Sequence, residues 1–266
     1  PSLLERPAEE LVTARPEPYV LPDEAAIQSA LDLGLDWLLE HQEPDGSWGS
    51  TREPEHEFWS NPYTHEAWIT GTTALVVLSL LDQPERERVA TGLERGVAYL
   101  VQRPPLKRPS DWDLDNAWGE LYGLTALVAV ERDGRLGEDP ARTTRIRHHL
   151  EALAAIQSID GGWGYYDFDT LAQRPSWSTS FMTAVAVLGL VDARQAGFAL
   201  PEGVLSRAVA ALERCLLPSG AYTYSVDPVP GPGGLLGINQ VQGSLARMQV
   251  GNLALLRAGS EAVDQD

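Results

Sequence analysis

The chain has 266 residues, 43% of them hydrophobic, which suffices for a packed core and excludes a disordered chain. Lys and Arg total 20 against 38 Asp and Glu, a formal net charge of −18 that repels phosphate backbones and anionic lipid surfaces; nucleic acid is therefore not expected as a partner. The only cysteine, Cys215, permits no intrachain disulfide and no cysteine-only zinc site, and it fits a reducing compartment such as the cytosol.

Residues 1–22 carry Pro1, Pro7, Pro16, Pro18 and Pro22 among many Glu and are predicted to form an extended N-terminal arm, without a charged-then-apolar signal pattern. Asp23 is a predicted N-cap, after which Ile27, Ala30, Leu31, Leu35 and Leu38 recur at helical spacing up to the turn before Pro44. From there two helix types alternate. Segments 24–41, 87–102, 143–158 and 201–216 are amphipathic; segments 66–81, 118–131, 178–192 and 240–257 are apolar nearly all round. A helix apolar on all sides is buried on most of them, and an amphipathic partner shields it from water. No alternating strand pattern is sustained and no apolar run reaches the ~20 residues of a membrane span, so the fold is expected to be all-α, with four hairpins of one outer and one inner helix each over residues 23–260. Residues 261–266 form a short acidic tail.

The hairpins repeat. Leu38-x3-Gln42-x3-Gly46-x-Trp48-Gly49 recurs as Leu153-x3-Gln157-x3-Gly161-x-Trp163-Gly164, and a decayed copy runs Leu212-x3-Leu216-x3-Gly220-x-Tyr222. A further copy, near Tyr99-Leu100-Val101-Gln102, gives way to Pro104-Pro105 and has lost its Gly-x-Trp. Inner helices carry Thr73-Ala74-Leu75, Thr125-Ala126-Leu127 and Thr183-Ala184-Val185. Such a period means a helical array or a closed ring. The Gly supplies a left-handed turn, the Gln satisfies backbone groups at the helix end, and the Trp folds back over the junction.

These motifs resemble the QW repeats of squalene–hopene and oxidosqualene cyclases, and the inner helices are similar to those of protein prenyltransferase β-subunits. The resemblance covers about residues 24–258 and implies an α/α toroid around a cavity, built in that family from about six hairpins. Four hairpins then imply a partial barrel, closed by a second copy or belonging to a longer chain. In the cyclases a DxDD motif directly before the Thr-Ala of an inner helix protonates the substrate through its central Asp. Here those positions read Gly71-Thr72, Gly123-Leu124 and Phe181-Met182, and the nearest imitation is Asp113-Leu114-Asp115-Asn116, displaced toward the N-terminus. The prenyltransferase zinc ligands have no counterpart, so neither metal nor cofactor is expected.

The candidate acids, Asp113 and Asp115, precede an inner helix, where Asp and Asn ordinarily cap free N–H groups; the alternative is a general acid raised by an apolar cavity. Trp59, Trp68, Trp118, Tyr122, Trp177 and Phe181 fall before or at the start of inner helices and are predicted to line a pocket for an apolar or isoprenoid-like ligand. The expectation is a cavity-bearing binding protein lacking an intact acid motif. Its alternatives are a divergent terpene cyclase or isomerase using Asp113 or Asp115, a carbohydrate-active α/α barrel with Asp167 and Asp169, and an interaction scaffold. Asp167 and Asp169 read as solvated loop carboxylates, His56 and His65 as loop residues, His148-His149 as surface, and 227–234 as a linker.

Overall fold

A computed structural model describes residues 21–49, 61–84, 86–169, 174–226 and 237–263. Two compact units are distinguished, Pro1–Glu40 and His41–Asp266. The first contains α1 (Glu24–Glu40), capped as expected by Asp23, whose Oδ1 accepts the Ala26 N–H at 2.7 Å. No residue of α1 is buried. The N-terminal arm, the Trp59 and His56 segment and the 227–234 linker fall almost wholly outside the described residues.

The second unit holds α2 (Pro62–Leu81), α3 (Glu87–Gln102), α4 (Asn116–Asp133), α5 (Pro140–Ala155), α6 (Ser180–Gln195), α7 (Val204–Cys215) and α8 (Val241–Ala258). Isolated bridges are the only β-pairing among the described residues, and the architecture is all-α. Pro62 and Pro140 start α2 and α5 behind the capping side chains of Asn61 and Asp139, and the left-handed Gly134 and Gly259 end α4 and α8.

The apolar helices α2, α4, α6 and α8 lie side by side as an inner layer, and α3, α5 and α7 cover them as an arc of an α/α toroid. The partnership differs from the expected hairpins in one respect. Each outer helix packs mainly on the inner helix that precedes it: α3 on α2, α5 on α4, α7 on α6. The turn after each outer helix is too long and too structured to fold the next inner helix straight back.

The two Gly-x-Trp turns are built alike. Gln42 Nε2 donates to Gly46 O and Gly92 O at 3.0 and 2.9 Å, and Gln157 Nε2 to Gly161 O and Val204 O at 2.8 and 2.9 Å. Each Gln therefore ties its own turn to the next outer helix. Trp48 N–H and Trp163 N–H donate to the inner-helix hydroxyls Thr73 Oγ1 and Thr183 Oγ1 at 2.9 and 3.1 Å, and both indoles are buried. Gly161 has φ +96°, and a Cβ there would stand 2.5 Å from Arg207 O. Tyr222 in the decayed copy is equally buried and donates to Asn252 Oδ1 at 2.9 Å.

Candidate functional site

The loops that precede α4 and α6 meet at one end of the inner layer. Leu114 N donates to Tyr165 O at 2.7 Å and Asp167 N to Trp112 O at 2.5 Å, so residues 112–116 are zipped to 165–167. Thr179 N in turn donates to Trp163 O at 2.9 Å and Ser180 N to Tyr224 O at 3.0 Å. Three inner-helix N-termini, those of α4, α6 and the segment leading to α8, are thereby drawn together.

Asp115 stands at the head of α4 and is 3% exposed. Capping does not describe it: its backbone is already helical, and its side chain makes no cap hydrogen bond. One carboxyl oxygen, Oδ2, is buried without a hydrogen-bond partner among the described residues, as are Asn116 Oδ1 and Thr179 Oγ1. Asp113 Oδ1 accepts the Asp115 N–H at 3.1 Å. Burial and then the neighbouring Asp113 carboxyl push Asp115 up to about 7. Burial raises Asp113 as well, offset by its bonds to Asp115 and by the Arg108 guanidinium. The two carboxyls therefore titrate as a pair, in which burial holds Asp115 above the ordinary carboxylate range.

Around this pair lies a wall of half-buried rings. Trp118 stacks on Tyr122 and on Phe181, each at 5.9 Å. Tyr165 meets Trp177 edge-on at 5.1 Å, and Phe181 meets Tyr224 at 5.5 Å. Tyr165 and Tyr224 join through their hydroxyls. Burial, the Tyr224 hydroxyl and, among smaller causes, the Asp115 charge raise the Tyr165 phenol. The predicted residues Trp118, Tyr122, Trp177 and Phe181 are thus brought together with Asp113 and Asp115. Trp68 lies one helix away on α2 against His65 at 5.8 Å. Trp59 is outside the described residues. A groove of about 820 Å³ elsewhere, between residues 216–220 and α8, contains none of these rings.

Below the rings the inner helices keep one open stripe each. Between Trp118 and Val130 only Trp118, Tyr122, Thr125 and Ala129 escape full burial; between Phe181 and Ala193 only Phe181, Val185, Leu188 and Asp192 do. Spacings of four, three and four residues put each set on one helix face, about 16 Å long at 1.5 Å per residue. Both stripes begin with an aromatic ring at the acid end and continue apolar or uncharged until Asp192, which is held by Arg132 and Arg257 at 3.0 and 2.5 Å.

Besides the capping of Asp115, further sequence expectations are overturned here, and His65 lies within α2 instead of in a loop. Asp167 is not solvated but fully buried and paired with Arg108 at 3.0 Å, because its backbone is pinned to Trp112 and its carboxyl faces the 108–111 loop; Asp169 is exposed as expected. His149 is not on the surface: it is 3% exposed, with Nδ1 at 2.5 Å from the buried Glu120 Oε2. Burial outweighs Glu120 and lowers its pKa, so the ring is neutral and donates Nδ1–H. Gly123 makes the space, since a Cβ there would lie 2.8 Å from His149 Cε1. Sequence reasoning also missed Tyr224. The repeat register contains the signal, because Tyr224 follows Tyr222 by two residues as Tyr165 follows Trp163.

No family model matches the sequence. The chain is 30% identical over 178 residues to a squalene–hopene cyclase of Bradyrhizobium diazoefficiens, an alignment covering 62% of this chain and 26% of that one. A drimenyl diphosphate synthase of Streptomyces showdoensis is 29% identical over 196 residues, 73% of this chain and 34% of its own. The chain thus spans about a quarter to a third of the length of these relatives. Among solved structures, a polysaccharide lyase superposes with a TM-score of 0.51 at 17% identity, over 92% of this chain and 71% of that one, a likeness of fold alone. With the all-α inner and outer layers, these relationships support a likeness of the chain to the terpenoid-cyclase-like proteins, the squalene–hopene cyclases and drimenyl diphosphate synthases.

Proposed function

We propose that the chain carries the proton-donating site of a terpene cyclase or isomerase acting on an apolar, isoprenoid-like chain. The observation that supports this reading is the buried Asp115 carboxyl, raised to about 7 and placed among rings instead of on helix N–H groups. A carboxylic acid held protonated near neutrality is matched to proton donation. In the proposed step the Asp115 O–H bond breaks, a C–H bond forms at one end of a substrate double bond, and the other carbon becomes cationic. The π-faces of Trp118, Phe181, Trp177 and Tyr165 stabilise that charge, and each such contact is worth ~0.5–2 kcal/mol. The cyclised cation loses a proton to solvent and the Asp115 carboxylate takes one back from solvent, which balances the reaction. Asp113 accepts the hydrogen bond of the acid and keeps its proton in place. The open stripes of α4 and α6 offer an apolar track on which the rest of the chain can lie.

Ligand capture without turnover is a second reading, favoured by Asn116, which stands where the cyclase motif has its final Asp. Incubation with squalene and with linear prenyl diphosphates, followed by product analysis, separates the two. Cyclised product that disappears in Asp115→Asn is the expected result. Ligand retained by the parent with no product at any pH between about 5 and 8 would establish capture instead.

A further inference from the structure

The two loops that form the acid site are crowded with like charge. Residues 108–116 and 165–169 carry Asp111, Asp113, Asp115, Asp167 and Asp169 against one cation, Arg108. That cation is bonded into both loops. Arg108 Nε donates to Ser110 O at 2.8 Å, and Nη2 donates to Asp111 O and, at 3.0 Å, to Asp167 Oδ2. Asp167 completes the clasp from the other side. Its N–H donates to Trp112 O at 2.5 Å, its Oδ1 accepts the Asp169 N–H at 3.1 Å, and its side chain is 1% exposed against 35% for Arg108. The loops are therefore joined twice, once by backbone and once by an ion pair whose acid end is out of water.

A half-buried ion pair is a poor device for stability alone, because the cost of withdrawing the charges from water offsets their attraction. Its charge has a second reach. The groups that face Asp113 are Asp115 and Arg108 from its own loop and Tyr166 from the other, with Asp167 behind Arg108. Burial raises the Tyr166 phenol, and the Asp115 and Asp113 charges add to that, so the ring stays neutral wherever the carboxyls titrate. Arg108 is then the positive member of the set. Alongside the bonds to Asp115, it opposes the burial that would protonate Asp113.

We propose that Arg108 and Asp167 are positioning residues for the acid: the guanidinium, aimed and fixed by Asp167, keeps Asp113 charged as the hydrogen-bond acceptor that orients Asp115. Both act through Asp113, without touching substrate. Their effect on turnover rests on the reading of Asp115 as proton donor, whereas their hold on the carboxyl pair is a property of the folded chain with no ligand present. A clasp that served folding only would act differently. Loosening it would admit water and bring both carboxyls down toward the ordinary range. Losing the positive charge of Arg108 instead makes Asp113 harder to ionise, and losing the negative charge of Asp167 makes it easier.

Carboxyl-carbon NMR of aspartate-labelled protein, titrated between about pH 3.5 and 9 and assigned with Asp113→Asn and Asp115→Asn, reads the pair directly. In Arg108→Gln the Asp113 titration should move up by roughly half a pH unit, a modest size because the guanidinium is partly exposed and screened. In Asp167→Asn it should move down, with Asp115 still well above the ordinary carboxyl range. The second variant keeps the shape of the side chain and carries the test if the first does not fold, which circular dichroism decides. With turnover present, the acid limb of the kcat/KM–pH profile should shift the same way as the titration in each variant. Unchanged titrations in both folded variants, a downward shift in Arg108→Gln, or an Asp115 that falls to the ordinary range in Asp167→Asn would each overturn the proposal. Opposite shifts of Asp113 in a protein that yields no cyclised product would uphold the clasp and remove the proposed function.

Discussion

Asp115 concentrates the residue-scale chemistry of the site. Its folded pKa lies above the ordinary carboxyl value, so its protonation stabilises the fold fully at a pH below that ordinary value, and this contribution is lost as pH rises toward about 7. The stability of the parent should therefore fall relative to Asp115→Asn by up to ~1.4 kcal/mol per pH unit between about pH 4 and 7. Denaturant midpoints of both proteins across that range check the sign, and a parallel pair of curves would mean that the carboxyl is solvated. Phe181→Leu keeps apolar volume and loses the π-face; under the proposed function, turnover should drop about tenfold while ligand retention persists. At the junctions, Trp163→Ala and Trp48→Ala each empty a buried indole site and should cost ~3–5 kcal/mol by thermal melts. Tyr222→Ala belongs with them in burial, and its hydroxyl bond to Asn252 ties this turn to the inner helix α8.

At the scale of elements, the turns set the spacing of the helices. Gly161 needs a positive φ and also has the Arg207 carbonyl against it, so Gly161→Ala combines backbone strain with a collision and should cost more than ~2 kcal/mol. Gly123→Ala tests a different contact. It drives a methyl into the His149 ring between α4 and α5 and should cost ~1–3 kcal/mol, measured by urea unfolding. Helix positions were legible from period and caps: the expected inner segments fall within a few residues of α2, α4, α6 and α8. The burial of His149 was not, because Arg145 and Arg147 beside it gave α5 the look of a charged face while the glycine that admits the ring lies on another helix.

For the whole molecule, the second unit is an array in which α2, α4 and α6 are each partnered outward by the next outer helix, while the open stripes of α4 and α6 carry nothing charged until Asp192. Those stripes are the apolar track of the proposed function. The end of the array carries its own test. Leu255 on α8 is buried in the packed layer, whereas its neighbours Leu253 and Leu256 are partly exposed. Leu255→Ala should therefore destabilise by ~2–5 kcal/mol in thermal melts, whereas Leu253→Ala, at a half-exposed position, should cost much less.

Local pattern determined the number and type of helices, the alternation of apolar and amphipathic segments, and the turns with their Gln, Gly and Trp. Each depends on spacing within one stretch of chain, and spacing is what a sequence records. Tertiary structure decided the chemistry. Asp113-Leu114-Asp115-Asn116 has the composition of a helix cap, and only the pairing of its loop with residues 165–167 withdraws Asp115 from water and surrounds it with rings. Asp167 and His149 acquired burial in the same way, from partners 59 and 29 residues distant in sequence. A carboxyl pKa depends on the dielectric and charge around it, and those are supplied by segments that meet only in the folded chain.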